Sequence, residues 1–273
     1  MARPRLGAGG QEDDLNIVVC VKQTPDTAAN VTVENGKVTW GDAPLVLNPW
    51  DEFAVEQSLR IKEAHGGKVT VISLGLEGAR EALKQALAMG CDEAILLQDP
   101  SFAAADTLVA SAALAAALRK LDPLDLALFG RTSVDSDTGV TAAQVARRLG
   151  WPSLTLVAAV VAVDPQGRTI EVERMLEEGR QQVRAQLPAV VSVVKEIGEP
   201  RYPSFMGIRK ASKAEIPTWS AADMGLQAPS PAVTWPALIA PPRVNTHCEM
   251  ISADSPGEAA AQLVQRLMEE KVL

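Results

Sequence analysis

The residues best suited to chemistry are Asp135-Ser136-Asp137-Thr138-Gly139-Val140-Thr141, which follow the apolar Leu128-Phe129-Gly130 and run into a helical pattern. Hydroxyls, a residue without Cβ and free backbone N–H groups are thereby gathered between the end of a strand and the start of a helix. That is a site for an anion: the helix N-terminus carries partial positive charge, Thr138 and Thr141 can donate to phosphate oxygens, and Gly139 permits close backbone approach. No GxxxxGK[ST] motif supplies a phosphate-binding lysine, so phosphate here would be held rather than transferred. Asp135 or Asp137 can alternatively do no more than cap the helix. Two other strand edges carry polar groups, Cys20-Val21-Lys22-Gln23-Thr24-Pro25-Asp26-Thr27 and Asn48-Pro49-Trp50-Asp51. Lys22 can face a phosphate or a carboxylate, a salt bridge being the ordinary outcome. Asn48, held extended by Pro49, can pair with a purine edge or close a turn, and Trp50 can stack on an aromatic ring or sit in the core.

The elements that must position these residues are legible as an alternating series. Asn16 to Val21 is an apolar strand, and Val31 to Trp40 alternates around Asn35-Gly36 as a type I′ hairpin. Then come a helix from Trp50 to Ala64, a strand from Lys68 to Leu74, a helix from Ala79 to Met89 closed by Gly90, and a strand from Glu93 to Leu97. Asp106 caps a helix to Lys120, Leu124 to Gly130 is a strand, and Thr138 to Leu149 a helix. Repeated strand-helix units predict an α/β fold, a mostly parallel sheet with helices on both faces. Ser153 to Val194 is strand-rich, with a hairpin at Glu178-Gly179, and is expected to extend the same sheet. Beyond Gly198, repeated prolines predict an arm over a surface. It ends in a helix with a capping box (Ser255, Pro256, Glu258) and an apolar face of Leu263, Val264, Leu267 and Met268, docked on its own domain or on a partner. The expected division is a disordered tail over 1–14, the α/β domain over 15–197, a docking loop and arm over 198–250, and a terminal helix over 251–273.

Composition excludes several classes. With 273 residues and 47% hydrophobic content the chain can bury a sizeable core. A net charge of −8 disfavours nucleic acid, and no apolar run approaches a membrane span, so direct membrane insertion is not expected. Three separated cysteines imply free thiols in a reducing, cytoplasmic setting rather than a disulfide framework. His65 and His247 lack a second ligand at metal spacing, which argues against zinc or a histidine-based triad.

The ordered run Val172-Glu173-Arg174-Met175-Leu176-Glu177-Glu178-Gly179-Arg180-Gln181-Gln182-Val183, followed by Leu187-Pro188-Ala189-Val190-Val191-Ser192, resembles the signature of the electron transfer flavoprotein beta-subunit family. Asn16 to Thr27, Asn48-Pro49, Ala86 to Gly90, Gly130 to Thr141 and Arg201-Tyr202 to Lys213 resemble it in the same order, so the likeness runs from Asn16 to about Gly225. It implies a Rossmann-like, adenine-nucleotide-binding domain paired with an alpha subunit that holds the redox-active FAD. The beta subunit itself would take AMP or, in electron-bifurcating members, a second FAD. Carried over by position, the pocket comprises Cys20, Asn48, Pro49, Trp50, Asp51 and Ser73. The run Gly130, Arg131, Thr132, Ser133, Val134, Asp135, Ser136, Asp137, Thr138, Gly139, Val140 and Thr141 completes it. AMP-binding members usually carry an Asn-Gln-Thr run where this chain has Thr138-Gly139-Val140-Thr141. Asp135-x-Asp137-Thr138, Lys22-Gln23-x-Pro25-Asp26-Thr27 and Ala105-Asp106-Thr107 lean toward the FixA-like branch, whose Ala-Gln-Val-Gly-Pro continuation is absent. AMP and a second FAD therefore both stand.

The loop Tyr202 to Lys210 resembles the family's segment for docking flavin dehydrogenases, with Phe205 where relatives usually have leucine and with Met206, Ile208, Arg209 and Lys210 around it. Alternatively, Phe205 folds back under its own loop. Arg174 and Met175 would face the alpha subunit's flavin. The implied role is an electron carrier without bond-making chemistry, passing electrons from flavin dehydrogenases to a quinone-reducing oxidoreductase or a ferredoxin-like acceptor. A rival of another class is a stand-alone adenine-nucleotide sensor of universal-stress type. A nucleotide-hydrolysing enzyme is disfavoured by the missing lysine motif.

Overall fold

The computed structural model describes residues 14–103, 105–227, 229–240, 242 and 248–273. The chain begins with β1 (Leu15–Val21), β2 (Gln23–Pro25), the β3 (Thr32–Glu34) and β4 (Lys37–Thr39) hairpin, and β5 (Leu45–Leu47). There follow α1 (Pro49–His65), β6 (Gly67–Leu74), α2 (Arg80–Met89), β7 (Glu93–Leu97), α3 (Thr107–Lys120), β8 (Leu126–Gly130) and α4 (Thr141–Leu149). Four strands come next, β9 (Ser153–Asp164), β10 (Thr169–Leu176), β11 (Gly179–Gln186) and β12 (Ala189–Val193). The remainder holds α5 (Phe205–Ala211), β13 (Thr218–Trp219) and α6 (Pro256–Glu269).

Nine strands form one sheet in the order β11-β10-β9-β12-β8-β1-β6-β7-β13. All neighbours from β9 to β13 along that order run parallel, and only β9-β10 and β10-β11 are antiparallel. Parallel strands buried on both faces must be apolar throughout, and Val18, Val19, Leu126 and Leu128 are fully buried accordingly. Their alternate side chains feed two cores, one against α1 and α2, the other against α3 and α4. The expected two-sided α/β fold is therefore present. The chain leaves β1 toward β6 on one side and returns at β8 on the other, so β1 and β8 flank a reversal of strand order. Such a reversal opens a crevice at the carboxyl ends of the strands.

Several boundaries differ from the sequence reading. The hairpin turn is Glu177-Glu178, because Leu176 pairs with Gly179 and Gly179 (φ 135) already begins β11. The strand-rich stretch does extend the sheet, as expected. The segment after Gly198 is not only an arm: β13 adds to the sheet edge beside β7, and the supposed docking loop contains the helix α5. The Asn35-Gly36 turn has positive φ at both residues (51 and 72), as a type I′ turn requires. Ser255 caps α6 by accepting from Glu258 N, and Leu263, Val264 and Met268 on that helix are exposed. Of the expected tail over 1–14, residues 1–13 lie outside the described residues, as do Pro241 and His247 of the arm.

Candidate functional site

Four chain segments converge on the crevice, and α1 ties them together. Gly130 ends β8 with the backbone of Trp50 and the carboxylate of Asp51 in the space of its missing side chain; a Cβ there would lie 2.6 Å from Trp50 O. Asp51 is buried at the start of α1. Its Oδ2 accepts from Lys22 N (2.8 Å) and its Oδ1 from Gly130 N (3.2 Å), which joins the ends of β1 and β8 through one carboxylate. Burial pushes this carboxyl up to about 7, against the pull of hydrogen bonds from Asn48, Lys22 and Gly130. Asn48, also buried, donates from Nδ2 to Thr132 O (2.8 Å) and accepts at Oδ1 from Val134 N (3.2 Å). Both ends of its amide thus engage the loop after β8, and the side chain shapes that loop.

The loop itself spans 131–140, three residues longer than expected, because α4 begins at Thr141 and not at Thr138. Asp137 (φ 46) and Gly139 (φ 63) both adopt left-handed backbone, which cannot continue into a helix. The N-cap position belongs to Val140, which has no side-chain cap, so neither Asp135 nor Asp137 caps the helix. Asp135 instead holds Lys22 Nζ at 2.6 and 2.8 Å, the salt bridge expected of that lysine. Ser133 and Ser136 share a hydrogen bond of 2.8 Å, and Asp137 N donates to Ser133 O. The span from Val134 to Val140 is exposed, and around Gly139 the nearest atom to a hypothetical Cβ is Arg131 O at 3.7 Å. Trp50 is half-buried, 6.4 Å from Phe53 ring to ring and 5.5 Å from the Arg131 guanidinium carbon, so it is neither a sealed core residue nor a free platform.

Among the described residues four buried side-chain oxygens lack a hydrogen-bond partner: Thr24 Oγ1, Ser73 Oγ, Thr132 Oγ1 and Gln144 Oε1. Buried polar atoms are rarely left so, because each forfeits its hydration without replacement. Thr24 follows β1, Ser73 sits at the carboxyl end of β6 opposite Val21, Thr132 follows β8, and Gln144 lies in the first turn of α4. All four thus belong to the carboxyl edge of the parallel strands. Ser73 and Thr132 are among the expected site residues. Thr24 and Gln144 are not, although Thr24 stands in the polar run quoted for the first strand edge.

Cys20 is buried beside this edge, and burial together with the Asp51 carboxylate drives its thiol pKa well up, which holds the thiol neutral. Two clefts lie elsewhere, one lined by Asp14, His65 and Asp164 and one by Arg119, Lys120 and Met224. Neither includes a residue of the loop. Arg174 is occupied by Thr155, whose carbonyl and hydroxyl it reaches at 2.7 and 3.0 Å, and by Gln181.

At the other side of the domain, Phe205 is 80% exposed and does not fold back under its own segment; Tyr202, Met206 and Ile208 are exposed beside it. Arg209, Lys210 and Lys213 on the same short helix and its end are exposed too.

Residues 39–224 match the family model of the electron transfer flavoprotein domain. The chain is 38% identical over 218 residues to the protein FixA of Azorhizobium caulinodans, covering 78% of each chain. It is 36% identical over 267 residues to the caffeyl-CoA reductase-Etf complex subunit CarD of Acetobacterium woodii, covering 95% of this chain and all of the relative. The electron transfer flavoprotein subunit beta of Clostridium acetobutylicum is 39% identical over 211 residues, 77% of this chain and 80% of that one.

Proposed function

Because the chain belongs to the electron transfer flavoprotein family, we propose that it is the beta subunit of a heterodimeric carrier whose own site, at the carboxyl edge of β1, β6 and β8, holds an adenine nucleotide. The observation that carries the nucleotide reading is the set of orphaned buried oxygens around a loop whose shape two buried side chains dictate. The exposed backbone of 136–140 would meet the ligand's phosphate, and the orphaned oxygens of Thr24, Ser73, Thr132 and Gln144 lie beneath that edge, where side-chain movement on binding would bring them to its polar groups. Gly139 keeps the approach clear. AMP there would be a structural ligand, whereas a second FAD would supply one- and two-electron redox chemistry. The protein's part is the same in both cases: to bind, orient and exclude water, with no acid or base placed for bond-making chemistry.

As a carrier it takes electrons from flavin dehydrogenases and passes them to a quinone-reducing oxidoreductase or a ferredoxin-like acceptor, and the exposed tip of α5 is the surface for the dehydrogenase. An exposed aromatic ring that a partner pocket can bury is suited to anchor an interface, and basic side chains beside it steer encounter. Among the described residues no helix is long and apolar enough to cross a membrane. The test is to release small molecules from the purified heterodimer and weigh them: one AMP or one FAD per beta subunit beyond the alpha subunit's flavin is expected. Gly139→Val, which forces a β-branched residue into left-handed backbone, should empty the site and leave the alpha flavin in place. Full retention of the nucleotide in that variant sinks the assignment of the loop.

A further inference from the structure

The dehydrogenase-facing helix α5 is held to the domain by a charge cluster that the nucleotide site does not use. Glu56, on the second turn of α1, is 4% exposed and accepts from four donors. Its Oε1 takes Arg60 Nε (2.7 Å) and Arg201 Nη2 (3.3 Å), and its Oε2 takes Arg201 Nε (2.7 Å) and the backbone Arg201 N (3.1 Å). Glu63, two turns further along α1, grips the same guanidinium through Nη1 and Nη2. Arg60 reaches back with Nη2 to Glu199 O at 2.9 Å, and a Cβ on Gly198 would lie 2.6 Å from its guanidinium. One face of α1 therefore fixes the main chain at Glu199 and Arg201. The next residue, Tyr202, is 95% exposed, and Ser204 caps α5 through Gly207 N. A second anchor lies on the far side of α5. Gly207 packs against the end of α2 so closely that a Cβ would lie 2.2 Å from Ala88 O.

We infer that Glu56 is a positioning residue for partner docking: through Arg201 it presets where the exposed tip Tyr202-Phe205-Met206-Ile208 stands, so that the partner meets an ordered surface. The inference rests on reading α5 as the dehydrogenase surface. Its physical basis is that a short helix of seven residues cannot hold itself and must borrow order from its anchors. Ordering that tip before encounter removes an entropic cost from binding. The cluster touches neither loop 131–140 nor any of the orphaned oxygens, so its loss is separable from nucleotide binding.

The experiment uses the full heterodimer with Glu56→Gln and, since a buried variant can fail to fold, also Arg201→Gln, which leaves the Glu56–Arg60 pair intact. Amide hydrogen exchange over 199–211 should quicken about tenfold or more while the sheet stays protected. With the flavin dehydrogenase that reduces the wild-type complex fastest in a panel, KM for the complex should rise about tenfold with kcat within about twofold. Dithionite reduction and nucleotide content should not change. Unchanged exchange over 199–211 in both variants overturns the inference, and so does an unchanged KM when Phe205→Ala raises it. If Phe205→Ala itself leaves KM unchanged, the docking reading fails, and the exchange data still decide whether Glu56 orders the segment.

Discussion

Two carboxylates on α1, five residues apart, both expose little surface, but Asp51 lies the deeper and the two live in opposite electrostatic settings. Asp51 (6% exposed) is met by backbone N–H groups and an amide, and burial wins: its carboxyl rises to about 7. Glu56 (4% exposed) is likewise desolvated, yet the hydrogen bonds and charges of Arg201 and Arg60 outweigh burial and hold its carboxyl below the usual range. Dipoles can orient a buried carboxylate; only opposite charge keeps it reliably ionised. The two ends of the helix serve different purposes accordingly. At its start an acid that titrates near neutrality knits the ends of β1, β8 and their loop, and along its body an ion cluster holds the main chain at Glu199 and Arg201.

The largest effect should come from breaking the permanent cluster. Glu56→Ala removes the buried carboxylate shared by two guanidinium groups, and because Arg201 keeps Glu63, Arg60 keeps Glu199 O and both keep partial access to water, the loss should be about 2–3 kcal/mol rather than the upper end for a sealed pair. Urea unfolding of the heterodimer at neutral pH measures it; a loss below about 0.5 kcal/mol would mean the cluster is no more than a surface ion pair. Next comes the pH response of Asp51. Its folded value lies above the unfolded one, so the native state binds more protons between about pH 4 and 7. Its contribution is present at low pH and lost as pH rises through about 7. The stability advantage of wild type over Asp51→Asn should therefore shrink by roughly 2 kcal/mol between pH 5 and 7 and stay level above 8. Glu56, whose folded value is depressed, must behave oppositely: its contribution is present at neutral pH and fades on acidification. Parallel curves for wild type and Asp51→Asn would show that the buried acid does not titrate there.

Asn48→Ala separates the loop from the sheet it hangs on. It removes the partners of Thr132 O and Val134 N, and should cost about 1–2 kcal/mol. Nucleotide content should fall while hydrogen exchange over 199–211 stays as in wild type. Quickened exchange in both places would join the two halves of α1 into one cooperative unit and dissolve the comparison.

The sheet, its two helical faces and the polar loop were legible because they follow from local pattern: apolar runs of strand length, helices between them, and Thr and Gly at a strand-to-helix junction. The start of α4 was not, since left-handed backbone at Asp137 and Gly139 breaks the helix where composition alone favours continuing it. Roles within the site were harder still. Asn48, Asp51 and Gly130 stand at the strand edges where the sequence put them, and the framework bonds they make there are fixed by three-dimensional partners far away in sequence. Gln144 gives no local sign of its orphaned oxygen. Glu56 reads as one more acidic residue on a helix until Arg201, 145 positions later, returns to it. Long-range ion pairs leave no periodicity to read.

The smallest structural effect belongs to Phe205→Ala, and its smallness is the point. The ring is 80% exposed and lies beyond both anchors of α5, so removing it takes away little buried area, and unfolding should shift by less than about 0.5 kcal/mol. Helix content, nucleotide and flavin spectrum should all match wild type, as should reduction by dithionite. Dehydrogenase affinity alone should weaken, by about 2 kcal/mol if the ring fills a partner pocket while Arg209, Lys210 and Lys213 steer the approach. Raising salt then separates the contributions: the basic rim acts on association and is screened, whereas the anchor acts on dissociation and is not. Stopped-flow reduction of the variant across ionic strength should give a slope equal to that of wild type with a displaced intercept. A stable variant with normal dehydrogenase kinetics would leave the brace built by Glu56 and Arg201 holding a surface that this partner does not touch.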